Sequence, residues 1–308
     1  MTVLVLTSDD DVTTDLVVDQ LNQLGEPVLR VDPAGYPDRL TLTTEFSANR
    51  CKTILDTGRS VLDLDDVRSV WHRRPGSPGG VTAVQGDWVG LECARHWWGA
   101  MRAIPDARWM NPLDAIERSR YKPWQLQQAQ KAGFTVPRTL FGNDSFEAEM
   151  FAAAQGSLIA KSVSGRHPEN PPITIPTVRV PSAATFDAVS ECATCLQEEV
   201  DKQFDVRLTV VDGRMFACQI VSGVLDWRWL DQSQCSWQQI SVPGPVAMSV
   251  MLYMDAAGLV YAAFDFAVTA DGTWFYLEAN QGGQFGFVEL ATGQPIASAI
   301  AEWLVKPT

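Results

Sequence analysis

The sequence predicts an α/β fold, and three observations carry that prediction. Its 308 residues suit two or three domains or one large α/β unit. The chain opens on a strand–helix–strand pattern, and its last third is rich in strand patterns, two pairs of which join at Asp-Gly turns.

Residues 3–6 form an apolar run that reads as a first buried strand. Ser8-Asp9-Asp10-Asp11 follows, and the apolar spacing beyond it predicts an amphipathic helix through about Leu24. Residues 28–31 read as a second strand. A βαβ start invites a dinucleotide reading, but no GxGxxG follows the first strand, and three successive aspartates would repel a pyrophosphate. They read instead as capping carboxylates at the positive end of the helix. Further strands are expected at 40–44, 53–55 and 69–73. A Pro/Gly-rich turn at 75–80 leads to a long helix whose expected apolar face is Val84, Trp88, Leu91, Ala94, Trp98 and Met101. Its tryptophans read as packing groups. Trp109-Met110-Asn111-Pro112 closes this first region.

The second region opens with helical patterns over 113–131, ended by Gly133. A strand at 158–162 precedes a polar, proline-rich stretch at 164–176, and another strand covers 196–200. The third region pairs strands 204–211 and 215–222 across Asp212-Gly213. A helix at 245–257, a hairpin of 263–268 with 274–280 around Asp271-Gly272, and a helix at 295–304 complete it. There is no internal repeat and no low-complexity tail.

Composition excludes several classes. A net charge of −13 argues against a general nucleic-acid binder. Residues 102–138 run against that trend, with seven basic side chains to three acidic ones, which suits either a phosphate pocket or a solvated helix face. No apolar run approaches a membrane span, and the N-terminus lacks the basic flank of a signal peptide, so the cytoplasm is the expected compartment. Cys192 and Cys195 form the one CxxC among six cysteines, without a second pair at zinc-ribbon spacing, and read as two small thiols. His72, His96 and His167 make no ligand set.

The last hairpin carries the most chemistry. Asp265, Glu278 and Asn280 sit among apolar neighbours, and oxygen-only ligands at short spacing suit Mg²⁺ shared with nucleotide phosphates. The alternative is a hairpin whose carboxylates pair with nearby Arg or Lys. Lys161-Ser162 follows Gly156 but lacks the second glycine of a P-loop, so that reading is poor.

Several short motifs occur in a meaningful order. They are Val70-Trp71-His72-Arg73-Arg74-Pro75, Asn111-Pro112 eleven residues before Lys122, and Ala129 to Leu140 with its glycine stop and Val-Pro-Arg-Thr strand. Lys161, Gln197-Glu198-Glu199-Val200, Phe204-Asp205-Val206-Arg207, Asp226-Trp227-Arg228 and the Asp265/Glu278/Asn280 set follow. Together they resemble the ATP-grasp ligases and, more narrowly, the ATP-grasp maturases of ribosomally made peptides, the graspetide (microviridin-type) macrocyclases. His72 replaces the group's more usual Tyr. The glycine-rich Gln281 to Gly286 stands where general ATP-grasp ligases often have proline, which fits the peptide maturases.

The resemblance implies an ATP-grasp fold with a pre-ATP-grasp domain at 1–112, a central lid domain at 113–200 and a catalytic domain at 201–308. It implies ATP and Mg²⁺ as cofactors, with Lys122 and Lys161 on the phosphates and Asp265, Glu278 and Asn280 on the metal. Glu198, Glu199, Val200 and Asp205 fall on the nucleotide side, and the backbones of Glu199 and Val200 would meet the adenine edge. Ser164 and Gly165 would belong to a lid over the phosphates. Arg207 and Arg228 become candidate catalytic groups. Asp226 and Arg228, with the flanking Trp227 and Trp229, could orient the acceptor peptide, or the tryptophans could form a buried aromatic cluster beside a structural Arg. Arg73 and Arg74 could attract an acidic precursor or form interdomain salt bridges. The implied activity converts Asp or Glu side chains of a precursor peptide to acyl phosphates and closes side-chain esters or amides, with the leader and core of that peptide as partner. The implied alternatives are a carboxylate–amine ligase and a non-catalytic nucleotide- or leader-binding protein. The family admits homodimers; neither nucleic acid nor membrane is expected as a partner.

Overall fold

The computed structural model describes residues 1–79, 88–164, 166–167 and 173–307. The chain begins with β1 (Thr2–Thr7), α1 (Val12–Gln23), β2 (Val28–Val31), β3 (Thr41–Ser47), β4 (Arg50–Asp56) and β5 (Val61–Asp63). β6 (Val67–Arg74), α2 (Trp88–Arg102) and β7 (Arg108–Met110) follow. β2-β1-β6-β7 make a parallel four-stranded sheet, and β3-β4-β5 form a separate antiparallel one. β5 has no counterpart among the expected strands, because a three-residue strand is too short to show an alternating pattern.

Two expectations here are corrected. On α2 the buried side chains are Trp97, Ala100 and Met101, whereas Trp88 and Leu91 are exposed. The core-facing stripe is therefore rotated from the expected one and shares with it the buried Met101 and the half-buried Trp98, which packs against the same core; Val84 lies outside the described residues. Asp11 occupies the N-cap of α1 but makes no capping bond. Its carboxylate instead accepts from the Thr7 and Thr14 hydroxyls and lies 3.4 Å from Arg73 Nε, because a buried charge needs a cation more than a helix end needs an acceptor.

α3 (Leu113–Ser119), α4 (Lys122–Lys131), β8 (Thr139–Gly142), α5 (Ser145–Ala153) and β9 (Leu158–Lys161) come next. β10 (Arg166–His167), β11 (Ile173–Thr174), β12 (Val178–Arg179) and β13 (Thr194–Glu198) complete the middle of the chain. β12-β9-β13-β8 form an antiparallel sheet, and β10 pairs with β11. The rest is β14 (Lys202–Val211), β15 (Arg214–Val221), β16 (Ser236–Ile240), α6 (Gly244–Ala257), β17 (Tyr261–Thr269), β18 (Trp274–Asn280), α7 (Gly286–Thr292) and α8 (Ile296–Val305). β16-β15-β14-β17-β18 form a five-stranded antiparallel sheet. The β14–β15 turn places Asp212 at φ 50° and Gly213 at φ 78°, the double positive-φ geometry that an Asp-Gly pair favours.

Two buried clusters tie these parts together. One joins Val3, Val5 and Trp71 of the first sheet to Ile220 of the five-stranded sheet through Ile300 and Leu304 of α8. The other packs Phe134, Tyr253 of α6, Phe264, Phe266 and Tyr276 against each other. Asn111 locks the junction. Its positive φ of 61° aims a fully buried amide that donates to Tyr261 O (2.8 Å) and Gln281 O (3.1 Å) and accepts from the Val260 and Tyr261 amides. Among the described residues no helix is long and apolar enough to cross a membrane.

Candidate functional site

A cavity of about 390 Å³ lies between the β9–β13 sheet and the face of β17–β18. Lys122, Lys161, Ser164, Glu198, Val200 and Asp205 line it. So do Asp226, Trp227, Arg228, Asp265, Glu278 and Asn280. Lys122 opens α4, and its Nζ donates to Ser162 O at 2.8 Å. Lys161 ends β9, and its Nζ donates to Gln197 Oε1 at 2.7 Å; Gln197 in turn donates to Thr139 Oγ1. Burial lowers the pKa of the Lys161 ammonium, and the Glu278 charge works against that fall. Two ammonium groups and three oxygen-bearing side chains, drawn from positions 122 to 280 of the sequence, thus face one space.

The strand register explains how the oxygen donors converge. Asp265 pairs directly with Glu278, but Phe266 pairs with Tyr276, so Leu277 is an extra residue on β18. Simple alternation would put Tyr276 and Glu278 on the same face. The bulge sends Tyr276 into the core and Glu278 into the cavity, re-aiming a side chain as such irregularities do beside functional sites. Asn280, two residues on, accepts from Gly282 N through Oδ1 at 2.9 Å.

Burial pushes the Asp265 carboxyl up to about 7; Arg207 opposes the rise and Glu278 adds to it. Burial also acts to raise Glu278, but Lys122, Arg228, Lys161 and Arg207 outweigh it and hold its pKa below the usual value. Arg207 Nε stands 3.1 Å from Asp265 Oδ1, yet neither buried atom has an aligned hydrogen-bond partner. An oxygen-only donor set with an orphaned carboxylate oxygen fits Mg²⁺. Among the described residues no group of three or more His, Cys, Asp or Glu could by itself hold a metal ion.

Arg207 is absent from the cavity wall. It backs Asp265 across the β14–β17 pairing, its guanidinium held 5.6 Å from both the Trp227 and Phe287 ring centres. Trp227, Trp237 and Phe287 pack edge-on or tilted about it, so the aromatic cluster surrounds Arg207 and not Arg228, and Trp229 is exposed. Arg228 does reach the cavity. It grips Asp226 with two bonds of 2.7–2.8 Å and brings Nη1 to 3.6 Å from Glu278 Oε1. Burial works to raise the Asp226 pKa, but the Arg228 bonds win and lower it. Asp205 is raised by burial against the pull of Lys202, whose Nζ lies 2.7 Å away.

Other candidates fall elsewhere. Glu199 is off the cavity wall: its carboxylate forms a forked pair with Arg179, and its amide donates to Ser157 O. The Glu198 carboxylate accepts from Arg138 N at 3.0 Å. Gly165 lies outside the described residues. A wider cleft of about 1730 Å³ adjoins the cavity and shares Lys122, Lys161 and Asn280 with it. Arg74 and Arg120 line that cleft. Arg73 touches it too but is 2% exposed, and its donors go to Gly282 O, Gly283 O (2.7 Å) and Gln284 Oε1, with Asp11 beside Nε. Arg73 is thus an internal brace between β6 and the glycine-rich turn, the salt-bridging alternative. The structural need for glycine there went unread in the sequence: a Cβ at Gly283 would sit 2.4 Å from Ala263 Cβ, and one at Gly282 2.8 Å from Arg73 O.

Residues 2–117 match the family model of the MvdD pre-ATP-grasp domain. No curated protein sequence matches the chain. Among solved structures, the macrocyclase MdnC from Microcystis aeruginosa MRC, bound with precursor peptide MdnA, superposes with a TM-score of 0.87 at 27% identity, covering 99% of this chain and 100% of that one. The macrocyclase MdnB from the same organism gives a TM-score of 0.83 at 28% identity, covering 99% and 98%. A Chryseobacterium gregarium RiPP-associated ATP-grasp ligase, in complex with ADP and a leader and core peptide, shares the fold with a TM-score of 0.88 at 24% identity, covering 98% and 96%. The fold is that of the ATP-grasp ligases. Within that fold the chain is similar to the macrocyclases MdnC and MdnB, and its first 117 residues to the MvdD pre-ATP-grasp domain.

Proposed function

We propose that this chain is an ATP- and Mg²⁺-dependent maturase of a ribosomally made precursor peptide. It would activate Asp or Glu side chains as acyl phosphates and close side-chain esters or amides, forming ADP. The observation that carries the reading is the convergence of Lys122, Lys161, Asp265, Glu278 and Asn280 on one cavity that opens beside a wider cleft. The macrocyclase likeness supports the choice of a peptide as substrate.

On this reading Lys122 and Lys161 bind the phosphates as point charges, and Asp265, Glu278 and Asn280 hold Mg²⁺. The metal supplies charge neutralisation on the triphosphate. Arg228, lying between Asp226 and Glu278, orients and stabilises charge on the transferring group. Arg207 acts through Asp265 by fixing its carboxylate. Glu198 and Val200 face the base, Ser164 and its neighbours exclude water, and Arg74 draws the acidic stretch of the peptide into the wide cleft. The units at 1–112, 113–200 and 201–308 would serve as pre-ATP-grasp, lid and catalytic parts. The work would take place in the cytoplasm, where precursor and ATP are made.

The test is mass spectrometry of the true precursor incubated with the protein, ATP and Mg²⁺. The peptide should lose one water per ring while ADP appears. A gain of an amino acid's mass would mark a carboxylate–amine ligase instead, and an unchanged peptide mass rules macrocyclisation out.

A further inference from the structure

We infer that Gln125 is a positioning residue that sets the metal-bearing strand against the phosphate-binding lysine; the inference rests on the metal and nucleotide reading above. Among the described residues β18 is the outer strand of its sheet, its outer edge bridged by Thr135 at Phe275 and Tyr276 but by no strand at Ala279. At Ala279, between Glu278 and Asn280, the Gln125 side chain takes that place. Its Oε1 accepts from Ala279 N at 3.2 Å and its Nε2 donates to Ala279 O at 3.0 Å, as a peptide group of an added strand would. The same amide donates to Ser119 O at 2.7 Å and accepts from the Tyr276 hydroxyl at 3.3 Å. All its hydrogen-bonding valences are therefore used, and the side chain is buried.

The placement matters because Gln125 stands one helical turn after Lys122 on α4. One short helix thus carries the phosphate lysine and, through Gln125, grips the peptide unit from which Glu278 and Asn280 project. On its inner edge this stretch pairs regularly with β17, Glu278, Ala279 and Asn280 lying opposite Asp265, Phe264 and Ala263, but the bulge at Leu277 breaks that register from the rest of β18. A side-chain amide pins the other edge of the same peptide unit, at the point where the oxygen donors must be held to a fraction of an ångström.

The test is isothermal titration of ADP into the full chain at a series of Mg²⁺ concentrations, for the wild type, Gln125→Met and Gln125→Glu. Met fills similar space without any hydrogen bond; Glu keeps the acceptor for Ala279 N but cannot donate to Ala279 O. Both variants should need roughly 10- to 100-fold more Mg²⁺ for half-maximal tightening, the size expected when a group supporting metal ligands is removed. Affinity for ADP without Mg²⁺ should stay within about twofold, which a general loss of structure would not produce. A Mg²⁺ dependence like that of the wild type in either folded variant overturns the positioning role, whatever its effect on melting temperature. A wild type that binds ADP without any Mg²⁺ dependence overturns the metal reading itself, and this inference with it.

Discussion

Arg207 Nε and Asp265 Oδ1 lie 3.1 Å apart as direct partners across β14 and β17, and neither finds an aligned hydrogen bond. The pair shares charge but leaves carboxylate capacity open toward the cavity. Asp265→Asn and Glu278→Gln, which keep shape and remove charge, should each lower turnover by at least about 100-fold. Circular dichroism of both should remain that of the folded protein. Full activity in either would remove the residue from the metal site.

Arg73 offers a contrast between two adjacent arginines. Arg73→Met leaves Asp11 buried without its cation and strips three acceptors in the 282–284 turn, so urea unfolding should show a loss of about 3–5 kcal/mol. Arg74→Ala should instead weaken binding of an acidic precursor, with a smaller loss of stability. Equal stability losses would put both residues in the same structural role.

Gly283→Ala tests the packing of the glycine-rich turn. The added methyl would meet Ala263 Cβ at 2.4 Å, with Arg207 Nη1 and Asn280 Cβ at 3.2 and 3.3 Å. A destabilisation of about 1–3 kcal/mol is expected, with a fall in activity because the displaced atoms belong to the site. An unchanged melting temperature and rate would mean that the turn yields without consequence.

His72, on the wall of the wide cleft, gives a pH signature. Burial lowers its pKa to about 4, the nearby Arg120 adding to the effect, and its ring packs 5.4 Å from Trp98. Between the ordinary value of 6.5 and about 4 the unfolded chain takes up a proton that the native state refuses. Stability should therefore fall as pH drops through that window, by no more than about 3 kcal/mol. His72→Tyr, the aromatic more usual in this motif, should flatten the slope in denaturant midpoints between pH 7 and 4. An equally steep slope in the variant would assign the loss to other groups.

The α/β class could be read from the sequence because its markers are local, apolar runs and Asp-Gly turns; the ATP-grasp fold came from the resemblance that the ordered motifs carry. Charged residues stand out among apolar neighbours at strand ends. Glu278 and Asp265 are conspicuous for that reason. The bulge at Leu277 is not, since an extra residue shows only against the partner strand. The burial of Arg73 likewise depends on a turn more than 200 residues away. Gln125 carries no charge and sits in a helical pattern, so nothing local distinguishes it from the exposed Gln127 two positions on. The rotation of the α2 face has the same origin: helical periodicity offered several stripes, and packing against the first sheet chose the one through Trp97.

The most direct measurement is calorimetric binding of ATP analogue and Mg²⁺ to the wild type, Lys161→Met and Asp265→Asn. The account predicts one Mg²⁺-dependent nucleotide per chain, with affinity lost in the lysine variant and Mg²⁺ dependence lost in the aspartate variant. Unaltered binding in both variants would contradict it.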